Sequence, residues 1–168
     1  MGIEPDWPEP GYGYIFPDRE AGDLALFGIR KVQFFVEKPD PSVARELVVG
    51  GGLWNTMVLV FRTRNVLDMV RRIAPRLYGS FQEILKAAGT RKERYVVEEA
   101  YRHMKPVNFS QGVLEALALV RPSCLSVLPI SEVFWSDWGS EHRIVSALKK
   151  TGYADRLQGI LESGLIGI

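Results

Sequence analysis

Val32-Gln33-Phe34-Phe35-Val36-Glu37-Lys38-Pro39-Asp40 decides the fold. Its first five residues are apolar or aromatic apart from Gln33, a pattern that predicts a strand buried on both faces of an α/β sheet. Pro39 cannot donate to a ladder, so the strand should stop there. The stop leaves an opposite-charge pair, Glu37-Lys38, at a strand's carboxyl end, which is where open α/β sheets hold their ligands. The alternative for that pair is a surface ion pair of little energetic consequence.

Working toward the amino terminus, Gly11-Tyr12-Gly13-Tyr14-Ile15 alternates small and aromatic residues after a loop punctuated by Pro5, Pro8 and Pro10. A short strand is expected, with glycines that let a backbone approach a ligand closely. A plain bulged strand with Tyr12 and Tyr14 on one face is the other reading. Toward the carboxyl terminus, Asp40-Pro41 opens a short helix, Ser42 to Val49, with Ser42 as its cap, and Gly50-Gly51-Gly52 ends it. A second nearly continuous apolar run follows from Leu53 to Phe61. Its one polar pair, Asn55-Thr56, needs hydrogen-bond partners from the protein or from a ligand.

From Thr63 the period becomes helical, with Val66, Met69, Val70 and Ile73 on one face and Pro75 as the break. Ser80-Phe81-Gln82-Glu83 reads as a capping box for a helix to about Ala88, closed by Gly89. Arg91 to Met104 predicts a helix with a solvated, charge-alternating face. Ser110 is expected to cap a helix from Gln111 to Leu119, and Leu125 to Ile130 to form a strand. Val133 to Ser140 presents Asp137, flanked by Trp135 and Trp138, at a strand end before a helix from Glu141 to about Lys150. Without other evidence Asp137 serves that helix's amino terminus. Ala154 to Leu161 is weakly helical.

The totals exclude several classes. The 168 residues carry a formal net charge of +1, so nothing argues for nucleic acid or a membrane surface as partner. Cys124 is the one cysteine, which forbids an intrachain disulfide and suits a reducing, cytoplasmic setting. The start is Pro- and acid-rich, unlike a signal peptide. One Cys and two His cannot build a zinc-type cluster, so a metal should be a hard cation on carboxylate oxygens. There is no G-x-S-x-G, and the glycines at 50 to 52 do not follow a strand as a phosphate loop requires.

Four stretches, in order and suitably spaced, resemble one family: Gly2-Ile3-Glu4-Pro5 through Tyr14-Ile15, Phe35-Val36-Glu37-Lys38-Pro39-Asp40, Leu53-Trp54-Asn55-Thr56, and Trp135-Ser136-Asp137-Trp138-Gly139. Together they are similar to the sugar-1-phosphate nucleotidylyltransferases, in the mannose-1-phosphate guanylyltransferase branch. The resemblance implies an α/β fold: a partial, mixed-sheet, Rossmann-like nucleotidyltransferase fold lacking the N-terminal nucleotide-binding half. Residues 1–168 would then form a single domain, the sugar-phosphate-binding half. It implies that Gly13, with Tyr12, lies against the hexose, that Glu37 accepts from sugar hydroxyls, that Lys38 is the phosphate cation, and that Asn55 contacts a sugar hydroxyl. Asp137 would be a Mg²⁺ ligand.

The family's Gly-rich loop with its Arg and Lys, its guanine-reading segments and its first metal-binding Asp have no counterpart in this sequence. The catalytic set is therefore expected to be incomplete and the chain inactive alone. Its ligand would be a sugar-1-phosphate, mannose-1-phosphate first, with GTP only if the other half is supplied by an N-terminal-half partner; a homo-oligomer is also possible. Two departures bear on the shape of the sugar pocket: Met57 where the family usually has Gly, and Ser110 where many members have an acid. The competing function is a non-catalytic sugar-phosphate-binding or subunit-interaction module.

Overall fold

The computed structural model describes residues 1–19, 24–120 and 124–153. The chain divides into two compact units, Met1–Ser131 and Glu132–Ile168. The first is an α/β unit on one mixed sheet, in agreement with the fold class read from the sequence. Its strands are β1 (Gly2–Ile3), β2 (Gly13–Pro17), β3 (Arg30–Glu37), β4 (Leu53–Asn55), β5 (Ser126–Val127) and β6 (Pro129–Ile130), in the order β5-β3-β2-β4-β1-β6. β1 and β6 run parallel and the other neighbours antiparallel.

The strand buried on both faces is β2, not the stretch from Val32 to Val36. Tyr14 and Ile15 are successive and point to opposite faces, yet they are 0% and 8% exposed. In β3 only Val32 and Phe35 are buried, while Gln33 is exposed. The cause is a bulge. Pro17 pairs with Val32 but Phe16 pairs with Phe34, which leaves Gln33 as an extra residue. An inserted residue resets the alternation, so Val32 and Phe35 share a face despite being three apart. They join Ile15, Leu53, Val127, Leu114 and Ala118 in the core, where each large apolar side chain contributes roughly 1.5–3 kcal/mol.

Pro39 ends β3 as expected. Helix α1 spans Pro41–Val49, and Asp40 rather than Ser42 is its N-cap residue, because Pro41 is pre-set for the first helical turn. Gly50 and Gly52 close it onto the carbonyls of Glu46 and Leu47, and Gly51 adopts φ 89°. The Leu53–Phe61 run is a strand only as far as Asn55. The Asn55 side chain takes the Met57 N–H in a local turn, and Met57 adopts φ 56°, which breaks the ladder. Val58 to Phe61 are consequently exposed, Val60 by 95%.

Helices α2 (Thr63–Ile73), α3 (Pro75–Ala87) and α4 (Glu93–His103) follow. Val66, Met69, Val70 and Ile73 do form the half-buried face of α2. The capping box at Ser80 is overridden: Pro75 starts α3 earlier, and the Ser80 hydroxyl donates back to the Arg76 carbonyl. The charges of α4 pair along its exposed face, Arg94 with Glu98 and Arg102 with Glu99. Ser110 is not a cap either. Asn108 takes the Gln111 N–H, and Ser110–Glu115 form a π-helical turn continued by α5, Ala116–Ala118.

The second unit contains α6, Glu141–Lys150, capped by the Ser140 hydroxyl as expected. Asp137 lies in irregular chain before it, not at a strand end. The expected helix from Ala154 to Leu161 falls outside the described residues. Among the described residues no helix is long and apolar enough to cross a membrane.

Candidate functional site

Three residues stand abreast across the sheet. Pairing Gly13 with Glu37, and Tyr14 with Trp54, puts Glu37 at the end of β3, Gly13 at the start of β2 and Asn55 at the end of β4 in one row. By strand alternation the row faces the same side as Phe35, Ile15 and Leu53. It is therefore the polar rim of the core face.

Gly13 makes this rim possible. A Cβ there would lie 2.6 Å from Glu37 Oε2, 3.0 Å from Phe35 Cζ and 3.5 Å from Asn55 Cβ. The Glu37 carboxylate thus leans over the β2 backbone toward Asn55. The backbone that glycine exposes is approached by Glu37, a neighbour the sequence reading did not consider for that space.

Lys38 follows in the left-handed region, with φ 49°, a conformation costing a non-glycine residue roughly 1–2 kcal/mol. Its main-chain N–H donates to the Tyr12 carbonyl at 3.1 Å, which helps hold that backbone. Its side chain is exposed. The ion pairs among the described residues include neither Lys38 nor Glu37, so the simple surface-pair alternative is not the arrangement seen. Strained residues of this kind cluster at functional sites.

The rim rests on an aromatic block on the opposite face. Trp54 receives Tyr12 and Trp7 edge-on, each with ring centroids 5.0 Å away. Its indole N–H donates to the Tyr14 hydroxyl at 3.1 Å. That hydroxyl also accepts the Glu9 N–H and donates to the Glu9 carbonyl, while the Glu9 carboxylate accepts the Gly11 N–H. Burial raises the Tyr14 pKa above its ordinary 10.0, although the Trp54 hydrogen bond opposes the rise. Tyr12 is only 4% exposed; it serves the rim through its carbonyl and its packing.

Above the rim lies the π-helical turn. The Glu115 carboxylate accepts the Glu37 N–H at 2.8 Å, and the Ser110 hydroxyl reaches the Met57 sulfur at 3.5 Å. Such turns recur at functional sites. Glu115 escaped the sequence reading; its signal was a lone acid in the apolar run Val113-Leu114-Glu115-Ala116-Leu117. Asn55, 7% exposed, donates to the Met57 sulfur at 3.0 Å and accepts the Met57 N–H at 3.1 Å.

Asp137 belongs to the second unit. Arg143 Nη1 donates to Oδ1 at 3.0 Å and Oδ2 at 2.8 Å, and Gly139 N–H donates to Oδ1. Both oxygens are engaged, so a cation would have to compete with a guanidinium for them. Among the described residues no group of three or more His, Cys, Asp or Glu could hold a metal ion. The donor set does not by itself amount to a Mg²⁺ site, which would need substrate phosphates to complete it.

Similarity to known proteins agrees with the motifs. Over 143 residues the chain is 30% identical to a mannose-1-phosphate guanylyltransferase of Sinorhizobium fredii, covering 83% of this chain and 26% of that protein. It is 32% identical over 142 residues to the alginate biosynthesis protein AlgA of Pseudomonas aeruginosa, covering 83% and 28%. The chain thus spans little more than a quarter of these curated relatives. A crystal structure described as a mannose-1-phosphate geranyltransferase from Thermus thermophilus superimposes with a TM-score of 0.55 at 29% identity, over 68% of this chain and 30% of that one. A Helicobacter pylori mannose-6-phosphate isomerase structure, 19% identical with a TM-score of 0.57 over 81% and 50%, shares the fold. The family model for nucleotidyl transferases matches residues 1–152, and the chain belongs to that family.

Proposed function

We propose that this chain supplies the sugar-phosphate-binding part of a mannose-1-phosphate guanylyltransferase-like nucleotidyltransferase. The observation that carries the reading is the row Glu37, Gly13, Asn55, with Lys38 held beside it by the Tyr12 carbonyl. A carboxylate accepts from hydroxyls, a carboxamide both donates and accepts, and an ammonium is a point charge for phosphate. Set side by side on a sheet rim, they match a hexose bearing an anomeric phosphate. The names of the relatives favour mannose-1-phosphate among such sugars.

In the full reaction a sugar-1-phosphate oxygen attacks the α-phosphorus of GTP, and pyrophosphate leaves. The rim's share is positioning: Glu37 and Asn55 orient the ring while Lys38 offsets phosphate charge, so that the attacking oxygen is held in one pose. Family membership makes a divalent cation, with Mg²⁺ the first choice, a companion of the phosphates. Asp137 is held by Arg143 in the second unit, and no step is assigned to it. The nucleotide is to be brought by parts of the enzyme other than this rim, so the chain alone is expected to bind and not to turn over.

Calorimetric titration of the full chain with mannose-1-phosphate and Mg²⁺ tests the reading. Binding that Lys38→Ala weakens at least tenfold is expected. A folded chain that shows no heat with mannose-1-phosphate or glucose-1-phosphate would overturn it.

A further inference from the structure

Asn55 and Ser110 are the two buried polar residues of the described chain, each 7% exposed. They come from different elements, the end of β4 and the start of the π-helical turn. One atom serves both: the Met57 sulfur, 3.0 Å from Asn55 Nδ2 and 3.5 Å from the Ser110 hydroxyl. The orientation of the Asn55 amide is fixed by chemistry. The Met57 main-chain N–H can only donate, so the oxygen faces it and the NH₂ faces sulfur.

A thioether is a weak acceptor. Two buried donors are therefore held by a partner that any hydroxyl or phosphate oxygen would better. Methionine is also the most adaptable apolar side chain, with three rotatable bonds, and Met57 is 48% exposed, so its sulfur can leave. Against this, its backbone sits at φ 56°, where glycine is at ease and methionine is not. A residue kept in a disfavoured conformation, with its side chain laid over the two buried polar groups beside the rim, is unexplained by packing alone.

We infer that Met57 is a specificity-determining residue of the sugar pocket: its thioether covers Asn55 and Ser110, and a hexose gains those groups only by a hydroxyl placed to displace the sulfur. The inference rests on the reading that Asn55 faces the sugar. It predicts discrimination between epimers, because a hydroxyl on the wrong side of the ring meets the thioether without replacing it.

The experiment compares mannose-1-phosphate and glucose-1-phosphate, epimers at one carbon, in calorimetric titrations of the full chain. Met57→Gly suits the backbone and removes the cover; Met57→Leu keeps the bulk without the sulfur. The ratio of the two dissociation constants should shift at least fivefold in Met57→Gly and stay within twofold of the unmodified chain in Met57→Leu. If the unmodified chain binds, sensitive to Lys38→Ala, and Met57→Gly leaves the ratio within twofold, the inference fails while the sugar-phosphate reading stands. If the folded, unmodified chain binds neither sugar phosphate, the pocket reading fails and takes the inference with it.

Discussion

The Glu115 carboxylate accepts the main-chain N–H of Glu37 at 2.8 Å, which ties the last residue of β3 to the π-helical turn above it. A carboxylate on a main-chain N–H is a charge-assisted bond, stronger than its neutral counterpart. It pins the corner from which Glu37 and Lys38 project.

Glu115→Ala should therefore cost about 1.5–3 kcal/mol of stability, read as a lower urea midpoint at unchanged slope. Affinity for mannose-1-phosphate should fall severalfold as well. Glu115→Gln, which keeps an acceptor, should recover most of both. A variant with full affinity would show that the corner is held by the sheet alone.

Gly13→Ala places a methyl 2.6 Å from Glu37 Oε2. Either the Glu37 side chain swings away or the strands part; overpacking of this kind costs typically 1–3 kcal/mol. A flexible carboxylate end yields more easily than backbone, so the thermal midpoint should drop by a few degrees while sugar-phosphate binding falls at least tenfold. Equal binding by the variant would remove Gly13 from the site.

Tyr14 sets an alkaline limit. Its pKa in the folded protein is raised by burial, so the folded state holds this proton more tightly than the unfolded state does. The stability it contributes is complete below the ordinary tyrosine pKa of about 10 and is lost as pH rises through the raised value. Denaturation midpoints should be flat toward pH 9 in this respect and fall above 10. Tyr14→Phe should flatten that fall while lowering stability throughout by about 1–3 kcal/mol, since Trp54 and Glu9 lose their shared partner. A fall of equal steepness in both proteins would refute the assignment.

Several element ends were legible because they are punctuation. Pro39 ends β3 and the three glycines end α1, whereas Asn55, read as a polar residue inside a longer strand, is the last residue of β4. What failed was local pattern against a stronger neighbour. The capping box at Ser80 lost to Pro75, whose ring favours an earlier start. Ser110 lost the cap to Asn108 and turned toward Met57 instead. Burial of β3 on both faces failed at Gln33, since a one-residue bulge is invisible in periodicity but reverses it. The run from Leu53 to Phe61 looked like one strand because apolar content does not report the left-handed turn at Met57.

β5 and β6 are separated only by Leu128, yet they stand at the two ends of the sheet order, β5 on β3 and β6 on β1. One short stretch therefore seals both sides of the sheet, and Gly2 and Ile3 are secured only when Asn55, Trp54 and this distant stretch have all arrived. The helices between can form within about a microsecond from local contacts, but the sheet must wait for the most remote segments to meet. Assembly of the first unit is thus paced by its last strands, and a nascent chain shorter than Ile130 carries two open edges ready to pair with another molecule.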